Sequence, residues 1–458
     1  MEKYGLTEKE TELLKSAFEK FSQVETVFIY GSRAKNTFRK TSDIDLAVRF
    51  KNGNDASMAQ LKSELDDLPI IHEIDLTDEA QIEAGDFKDE YERTKQIFYL
   101  KGWKTTTLGE VLNIKNGKSR PKNGKIYPVY GGNGVLGYAD EYNVDEEIII
   151  IGRVGAYCGC IYFENKKFWL SDNALGVLAN ENSNIKFLYY LLKQLNLNKQ
   201  AIGGAQPLLT QGLINQIEVI VPKSIEEQRA IAAVLSSLDD KIELLREQNK
   251  TLEATAQAIF KEWFVNFNFP GATGKTIDSE LGKIPEGWRV GKLGEEFKIE
   301  YGKSDKNFDA DGLHPVYGAG GIVGYSNFAD YRDYQVIIGC RGTCGNITLA
   351  YEDSKITHNS LIISSDWFKP FIYLYLHSVD IGKAITGSTQ PQITIGDLDN
   401  IEILIPQNKI VSTFVEIIAP IFKKKGNNNS QIQTLATFRD ALLPKLMKGE
   451  LRVNGFID

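Results

Sequence analysis

Two aspartates one residue apart on an apolar stretch are the first feature of this sequence that could do chemistry. Gly31-Ser32 is followed, after ten residues, by Asp43-Ile44-Asp45-Leu46-Ala47-Val48. In a strand, residues i and i+2 face the same side, so Asp43 and Asp45 would present two carboxylates to one point. Like charges held together on an apolar strand are costly unless a cation lies between them. An all-oxygen pair suits Mg2+, which takes one or two carboxylates and completes its shell with substrate phosphates. Gly31 and Ser32 offer backbone N–H groups and a hydroxyl to a triphosphate. Asp75, in a later apolar run, adds a third carboxylate that could orient or deprotonate an attacking hydroxyl.

These residues need a small sheet to hold them. Residues 8–21 read as an amphipathic helix, 24–30 as a buried strand, and 43–48 and 70–76 as further strands. The arrangement resembles the minimal nucleotidyltransferase family, whose signature is Gly-Ser, ten residues, then Asp-x-Asp. Gly31, Ser32, Asp43 and Asp45 match it, and Asp75 stands at the third carboxylate. The resemblance covers residues 1–100. It implies a small α/β fold, two-metal chemistry and transfer of a nucleoside monophosphate from a nucleoside triphosphate, with Mg2+ and ATP as the cofactors. It makes Asp43, Asp45 and Asp75 the catalytic acids, Asp43 and Asp45 the metal ligands, and Gly31, Ser32 and Arg33 the nucleotide site. Several such proteins are antitoxins that modify a toxin, which makes a toxin protein one candidate acceptor.

The rest of the chain is organised around a stripe. Ile231, Leu235, Leu238, Ile242, Leu245, Asn249, Leu252, Ala256, Ile259 and Trp263 recur at alternating spacings of four and three. This is an a/d heptad pattern with one polar break, and it predicts a coiled-coil helix over residues 226–264. Its length, at about 1.5 Å per residue, is roughly 58 Å. A narrow apolar stripe cannot stay in water, so the helix needs a partner.

The segments on either side of that helix are one sequence, diverged. Gly102-Trp103-Lys104 recurs as Gly287-Trp288-Arg289, and Gly117-Lys118-Ser119 as Gly302-Lys303-Ser304. Pro128-Val129-Tyr130-Gly131 recurs as Pro315-Val316-Tyr317-Gly318, Cys158-Gly159 as Cys344-Gly345, and Asn173 as Asn359. Gln206-Pro207 matches Gln390-Pro391, and residues 217–222 match 401–406, all at an offset between 184 and 187. A period this long is a domain duplication. The second copy also ends in a helical pattern, through Phe414, Ile417, Ile421, Lys424, Asn428, Gln431, Leu435, Phe438 and Leu442. Two long helices, one per repeat, could bury their stripes on each other.

Composition bounds the class. The chain has 458 residues, net charge −8 and four cysteines. That is length for about three domains, with too few cysteines for a disulfide scaffold. No run of 18 apolar residues exists and the start is polar, so a cytoplasmic protein is expected. The net acidity argues against a wholly basic nucleic-acid binder, yet local basic patches remain possible. Residues 132–137 fit GxGxxG, but Ala319 replaces the first glycine in the second copy and no βαβ unit surrounds it. Residues 271–276 look like a phosphate loop without its earlier glycine, where Phe269 stands, and read as a linker.

The loops of the repeats carry cations and aromatics suited to phosphates and base edges. Lys118, Ser119, Arg120, Lys122, Tyr138 and Arg153 stand out in the first copy, and Lys303, Lys306, Ser304, Tyr325 and Arg341 in the second. The duplicated region resembles the specificity subunit of type I restriction–modification systems, on Trp103 to Ser119, Trp288 to Ser304, the Pro-Val-Tyr-Gly segments, both Gln-Pro pairs and Glu226-Glu227-Gln228-Arg229-Ala230-Ile231. The resemblance covers residues 101–453. It implies an α+β multidomain chain with two α/β target-recognition domains separated by two long antiparallel coiled-coil helices. The expected boundaries are 1–100, 101–225, 226–266 for the spacer helix, 267–285 for a linker, 286–406, and 407–453 for the second helix. It further implies that each repeat reads half of a bipartite double-stranded DNA site, that methyltransferase subunits and a restriction translocase are partners, and that this region has no catalytic residues. The second copy departs in lacking an Arg-Ala-Ile equivalent after Pro406, where Gln407-Asn408-Lys409-Ile410 stands. The rival reading is a nucleotidyltransferase whose duplicated part only targets it to DNA or a partner.

Overall fold

The structure, a computed structural model, describes residues 3–51, 55–203, 207–305, 307–309, 312–387 and 389–453. It divides into two units, Met1–Ser237 with Arg439–Asp458, and Leu238–Phe438. Gln206 and Lys306, named above, lie outside the described residues.

In the first unit, the N-terminal domain is a four-stranded sheet with order β3-β2-β1-β4. The strands are β1 (Val24–Ile29), β2 (Ile44–Phe50), β3 (Ile74–Asp78) and β4 (Gln96–Leu100). β1 runs antiparallel to β2 and β4, while β2 and β3 are parallel and place Asp45 opposite Asp75. Val27, Ile29, Ile44, Leu46 and Val48 make the core with Leu14 and Phe18 of helix α1 (Glu8–Glu19). That helix starts cleanly because Thr7 and Glu10 form a reciprocal capping box. Its end and the strand bounds differ from expectation by a few residues. Asp43 falls just outside β2, and β3 begins at Ile74, not at residue 70.

Each repeat builds the same three pieces, one set per unit. The first has a four-stranded antiparallel sheet of Leu112–Asn116, Ala174–Ala179, Ile148–Gly152 and Ile161–Glu164. The second repeats it with Lys298–Tyr301, Ser360–Ser364, Gln335–Gly339 and Ile347–Ala350. A hairpin carries a third, parallel strand in both: Tyr127–Gly131 with Gly134–Ala139, and His314–Gly318 with Gly321–Ser326. Both hairpins have a bulge at the same place, at Val129/Tyr130 and at Val316/Tyr317. A two-stranded ladder closes each copy, Trp103–Thr107 with Glu218–Pro222 and Arg289–Lys292 with Glu402–Ile405. The duplication read from spacing is therefore a duplication of fold.

Two long helices follow the repeats, a central helix at Ile225–Phe260 and a C-terminal helix at Asn408–Met447. Among the described residues, none of the helices is long and apolar enough to cross a membrane. The central helix buries Ile231, Leu235, Ile242, Leu245 and Ala256 of the expected stripe and leaves Leu238, Asn249, Leu252 and Ile259 half-buried; Trp263 is covered in the π-helical turn Lys261–Val265 that follows. The C-terminal helix corrects its stripe by one position. Val411, Phe414, Ile418, Phe422, Lys425 and Asn428 are buried, while Ile417 is exposed. After Phe414 the buried row steps by four, because Phe422 must reach Tyr351 and Tyr373 of the second repeat. Lys425, not Lys424, then meets Glu253, and its ammonium lies over Tyr351 and Phe422.

Within the second unit the two helices run antiparallel, since Glu253 meets Lys425 while Asn249 meets Asn428 and Asn429. Asn428 is fully buried and its amide donates to the Asn249 carbonyl at 2.9 Å. A buried polar contact of this sort favours one register, because a slip would strip the Asn428 amide N–H of its acceptor. Asn428→Ala is expected to cost about 2 kcal/mol from the unpaired partner and the cavity. Urea unfolding checks it: the midpoint should fall while the slope stays unchanged.

Candidate functional site

The N-terminal site is assembled where β1 ends and β2 begins. After Ile29 the chain turns through Tyr30 into a single helical turn, Gly31–Ala34. Gly31 has φ +68°, and a Cβ there would stand 2.5 Å from Asp45 Oδ2. Only glycine therefore lets the Asp45 carboxylate lie against this backbone. The Gly31 N–H donates to Thr94 Oγ1 at 3.4 Å, and Thr94 in turn donates to the Glu90 carbonyl. Thr94 was invisible in the sequence because it is 63 residues away from Gly31.

Asp45 is half-buried, whereas Asp43 and Asp75 are exposed. Burial first, and then the charges of Asp75 and Asp43, hold the Asp45 carboxyl above the usual range, with Arg33 opposing. Three acids thus act on one point whose carboxyl is strained toward its proton. Among the described residues, no group of three or more His, Cys, Asp or Glu is set to hold a metal. The donor set is a pair, Asp43 and Asp45, and fits a divalent cation whose shell phosphate oxygens complete. Tyr30 closes one side, its hydroxyl 3.5 Å from Thr77 Oγ1.

Arg33 does not stand where a nucleotide contact was expected. It is 1 % exposed, and its guanidinium donates to the carbonyls of Asp43 (2.9 Å), Ser42 (2.5 Å), Tyr4 (2.8 Å) and Gly5 (3.4 Å). Buried and held by four backbone carbonyls, it is not presented to a phosphate. Gly31→Ala, by contrast, acts on the site alone. It puts a side chain at a left-handed φ and 2.5 Å from Asp45 Oδ2, and relieving that contact should displace the carboxylate by about 1 Å. We expect about a hundredfold loss of any nucleotide transfer, since misplacement on this scale costs about that much. Single-turnover transfer measured beside thermal unfolding checks it.

In the first repeat, Lys118, Ser119, Arg120 and Lys122 lie exposed on one loop. That loop runs along the hairpin edge: Gly124 N–H donates to the Tyr138 carbonyl and Arg120 Nη2 to the Leu136 carbonyl. Tyr138 is exposed beside it. The hairpin turn also meets the loop carrying Arg153, because a Cβ on Gly132 would lie 3.5 Å from the carbonyls of both Val154 and Asn173. The structure brings Arg120 and Tyr138 to the Gly134–Ala139 edge, while Lys118 pairs with Ser171 at the opposite edge and Arg153 is half-buried by the turn. In the second repeat the matching loop follows the same path, with Asp309 N–H donating to the Tyr325 carbonyl.

Two matches change in register. The shared Gly-Lys-Ser places Ser304 with Ser119, yet the bridges Lys118–Ser171 and Ser304–Thr357 make Ser304 the partner of Lys118. Lys303 is the extra residue. Ser304 is buried, donates to Asp330 Oδ2 at 2.6 Å and accepts from the Ile356 N–H, so it is no DNA contact. Likewise Arg153 corresponds to Cys340, since each accepts through its carbonyl from the chain after the Gln-Pro segment, at Leu209 and Ile393. Arg341 then corresponds to Val154 and is exposed.

Comparisons agree with this architecture. Residues 100–254 and 285–435 match the family described as type I restriction modification DNA specificity domain. Residues 12–102 match the family described as polymerase beta, nucleotidyltransferase. The type I restriction enzyme MjaIX specificity subunit of Methanocaldococcus jannaschii is 32% identical over 302 residues, 58% of this chain and 69% of that protein. The type I restriction enzyme HindI specificity subunit of Haemophilus influenzae is 24% identical over 371 residues, 60% of this chain and 80% of that protein. The crystal structure of a type I restriction-modification system S subunit from M. genitalium covers 75% of this chain and 96% of its own, with TM-score 0.53 and 20% identity, and shows the same fold. Two copies of one specificity domain, each ending in a long helix and preceded by a nucleotidyltransferase domain, place this chain in the type I restriction–modification specificity family.

Proposed function

We propose that the chain is a DNA-specificity subunit whose two repeats each read one half of a bipartite double-stranded site, and whose first domain is a Mg2+-dependent nucleotidyltransferase using ATP. The observation that carries the first part is the repeated fold with unlike loops. Arg120 reaches Gly137 on the hairpin in one copy, where Phe308 packs at the matching Gly324 in the other. Two readers of the same build with different edges suit two different half-sites. Methyltransferase subunits and a restriction translocase are the partners such a reader would position on DNA. Co-expression with a methyltransferase subunit, followed by genome-wide methylation mapping, tests it. One split motif dependent on this chain is expected, and methylation without sequence preference would sink the proposal.

In the first domain, an acceptor hydroxyl attacks the α-phosphorus of the nucleotide. The new P–O bond forms as the bond to pyrophosphate breaks, pyrophosphate leaves, and the hydroxyl proton passes to Asp75. The turn at Gly31 and Ser32 is where the phosphates would lie, and Asp43 and Asp45 would hold Mg2+. The ion, when bound, supplies positive charge that offsets the phosphates' negative charge. Incubation with labelled ATP and Mg2+ tests this, with Asp43→Ala/Asp45→Ala as the control. Label transfer without any sequence-dependent methylation would make the first domain the working part and the repeats its targeting device.

A further inference from the structure

We infer that Arg33 is a positioning residue that joins the phosphate-binding turn to the metal carboxylates. This inference rests on the nucleotidyltransferase reading above. The guanidinium sits on the turn Gly31–Ala34, one residue after Ser32. From there it grips the peptide entering β2 through the carbonyls of Ser42 and Asp43. Asp43 lies just outside the strand, and its peptide with Ile44 is held on the N–H side by the Glu73 carbonyl at 2.8 Å. Arg33 holds the carbonyl side of the same peptide and the Ser42 carbonyl before it.

The other face of the guanidinium holds the N-terminal turn, through the carbonyls of Tyr4 and Gly5, and lies 5.3 Å over the Phe38 ring. The Tyr4 hydroxyl donates to Gln96 Oε1, and Gln96 Nε2 donates back to the Ala34 carbonyl beside Arg33. A closed ring of contacts therefore runs from Arg33 through Tyr4 and Gln96 to Ala34. A buried arginine with no carboxylate in direct contact is expensive. Here its charge stands behind two aspartates that are crowded together. It supplies a fixed positive charge to them as well as their spacing.

The test uses the full chain and the variant Arg33→Lys, with Arg33→Gln beside it. An ammonium keeps the charge but cannot span four carbonyls in one plane. Mn2+ binding, read by electron spin resonance, is compared with thermal unfolding and with single-turnover transfer. In Arg33→Lys we expect Mn2+ affinity to fall about tenfold and transfer about a hundredfold in protein that remains folded. The fall in transfer should be in kcat, with the KM for nucleotide changed less. Equal Mn2+ affinity in wild type and variant would overturn the inference, and so would a wild type that binds no Mn2+. Wild type that binds Mn2+ but transfers no nucleotide would sink the nucleotidyltransferase reading while Mn2+ affinities still decide the role of Arg33. If Arg33→Lys unfolds, loss of Mn2+ affinity in the folded Arg33→Gln decides it. If both fail to fold, a purely structural role stands and the inference falls.

Discussion

Asp45→Asn is expected to abolish nucleotide transfer, by about a thousandfold or more, and at the same time to raise stability at neutral pH. Both effects have one cause. The Asp45 carboxyl is held above its ordinary range by burial and by the neighbouring Asp75 and Asp43. An amide removes a ligand of the proposed Mg2+, and losing a charged group of this kind at a transfer site costs about that factor. The amide also removes a repelled charge. For a carboxyl whose folded value is raised, the native state binds the proton more tightly than the unfolded chain. Its penalty is therefore absent below the unfolded value and fully present above the folded one. Wild type and Asp45→Asn should unfold alike in acid and diverge as pH rises through the carboxylate range, with the variant the more stable. Calorimetry at several pH values without divalent ions checks this. A variant that is less stable at pH 7 would remove the argument that these acids repel one another in wait for a cation.

The second large effect is expected at Arg452. Glu227, at the start of the central helix, is 3 % exposed. Its Oε1 accepts from Trp103 Nε1 at 3.1 Å and from Arg452 Nε and Nη2 at 3.0 and 2.8 Å. Arg452 also donates to the Lys101 carbonyl at 3.0 Å. Arg452→Ala leaves a carboxylate in a closed site with one neutral donor. Breaking a buried pair from one side costs about 3–5 kcal/mol. Reversible urea unfolding of the first unit should show it. The double variant Glu227→Leu/Arg452→Met should recover much of the loss, because an apolar pair of similar volume needs no counter-charge. If the double variant is as unstable as Arg452→Ala, lost packing and not the orphaned charge is the cause.

The same site explains what the sequence hid and what it displayed. The repeat register equates Ile217 with Ile401 and therefore Glu227 with Val411, which is buried in the apolar core of the second unit. Trp288 in turn has its Nε1 buried without a partner among the described residues. The sequence showed that the second copy departs after Pro406. It did not show that the departure removes an acid whose partner lies 225 residues further on. Spacing displays what is local: the heptad stripe of the central helix, the Gly-Ser and Asp-x-Asp positions, the paired Pro-Val-Tyr-Gly strands. It fails where one inserted residue decides which side chain turns inward. Ser304 and Lys118 show this. It fails too where packing sets the row, as when the C-terminal stripe moves from Ile417 to Ile418. Arg33 shows a third kind of failure. A cation in a phosphate-binding motif invites an electrostatic reading, and only the carbonyls around it reveal a mechanical one.

The first unit closes on the last residues of the chain. Leu446 and Met447 belong to its apolar core with Ile231 and Leu235, and Arg452 caps Glu227. During synthesis the Glu227 side chain leaves the ribosome long before Arg452 has been made. At about 5–20 residues per second, the intervening stretch takes roughly 10–45 s to translate. Until then the nascent first unit carries an unneutralised acid and an uncovered apolar face, so its final locking waits for the end of the C-terminal helix to be made. A truncated message should therefore yield a protein that proteases clear, even though every residue of both repeats has been translated.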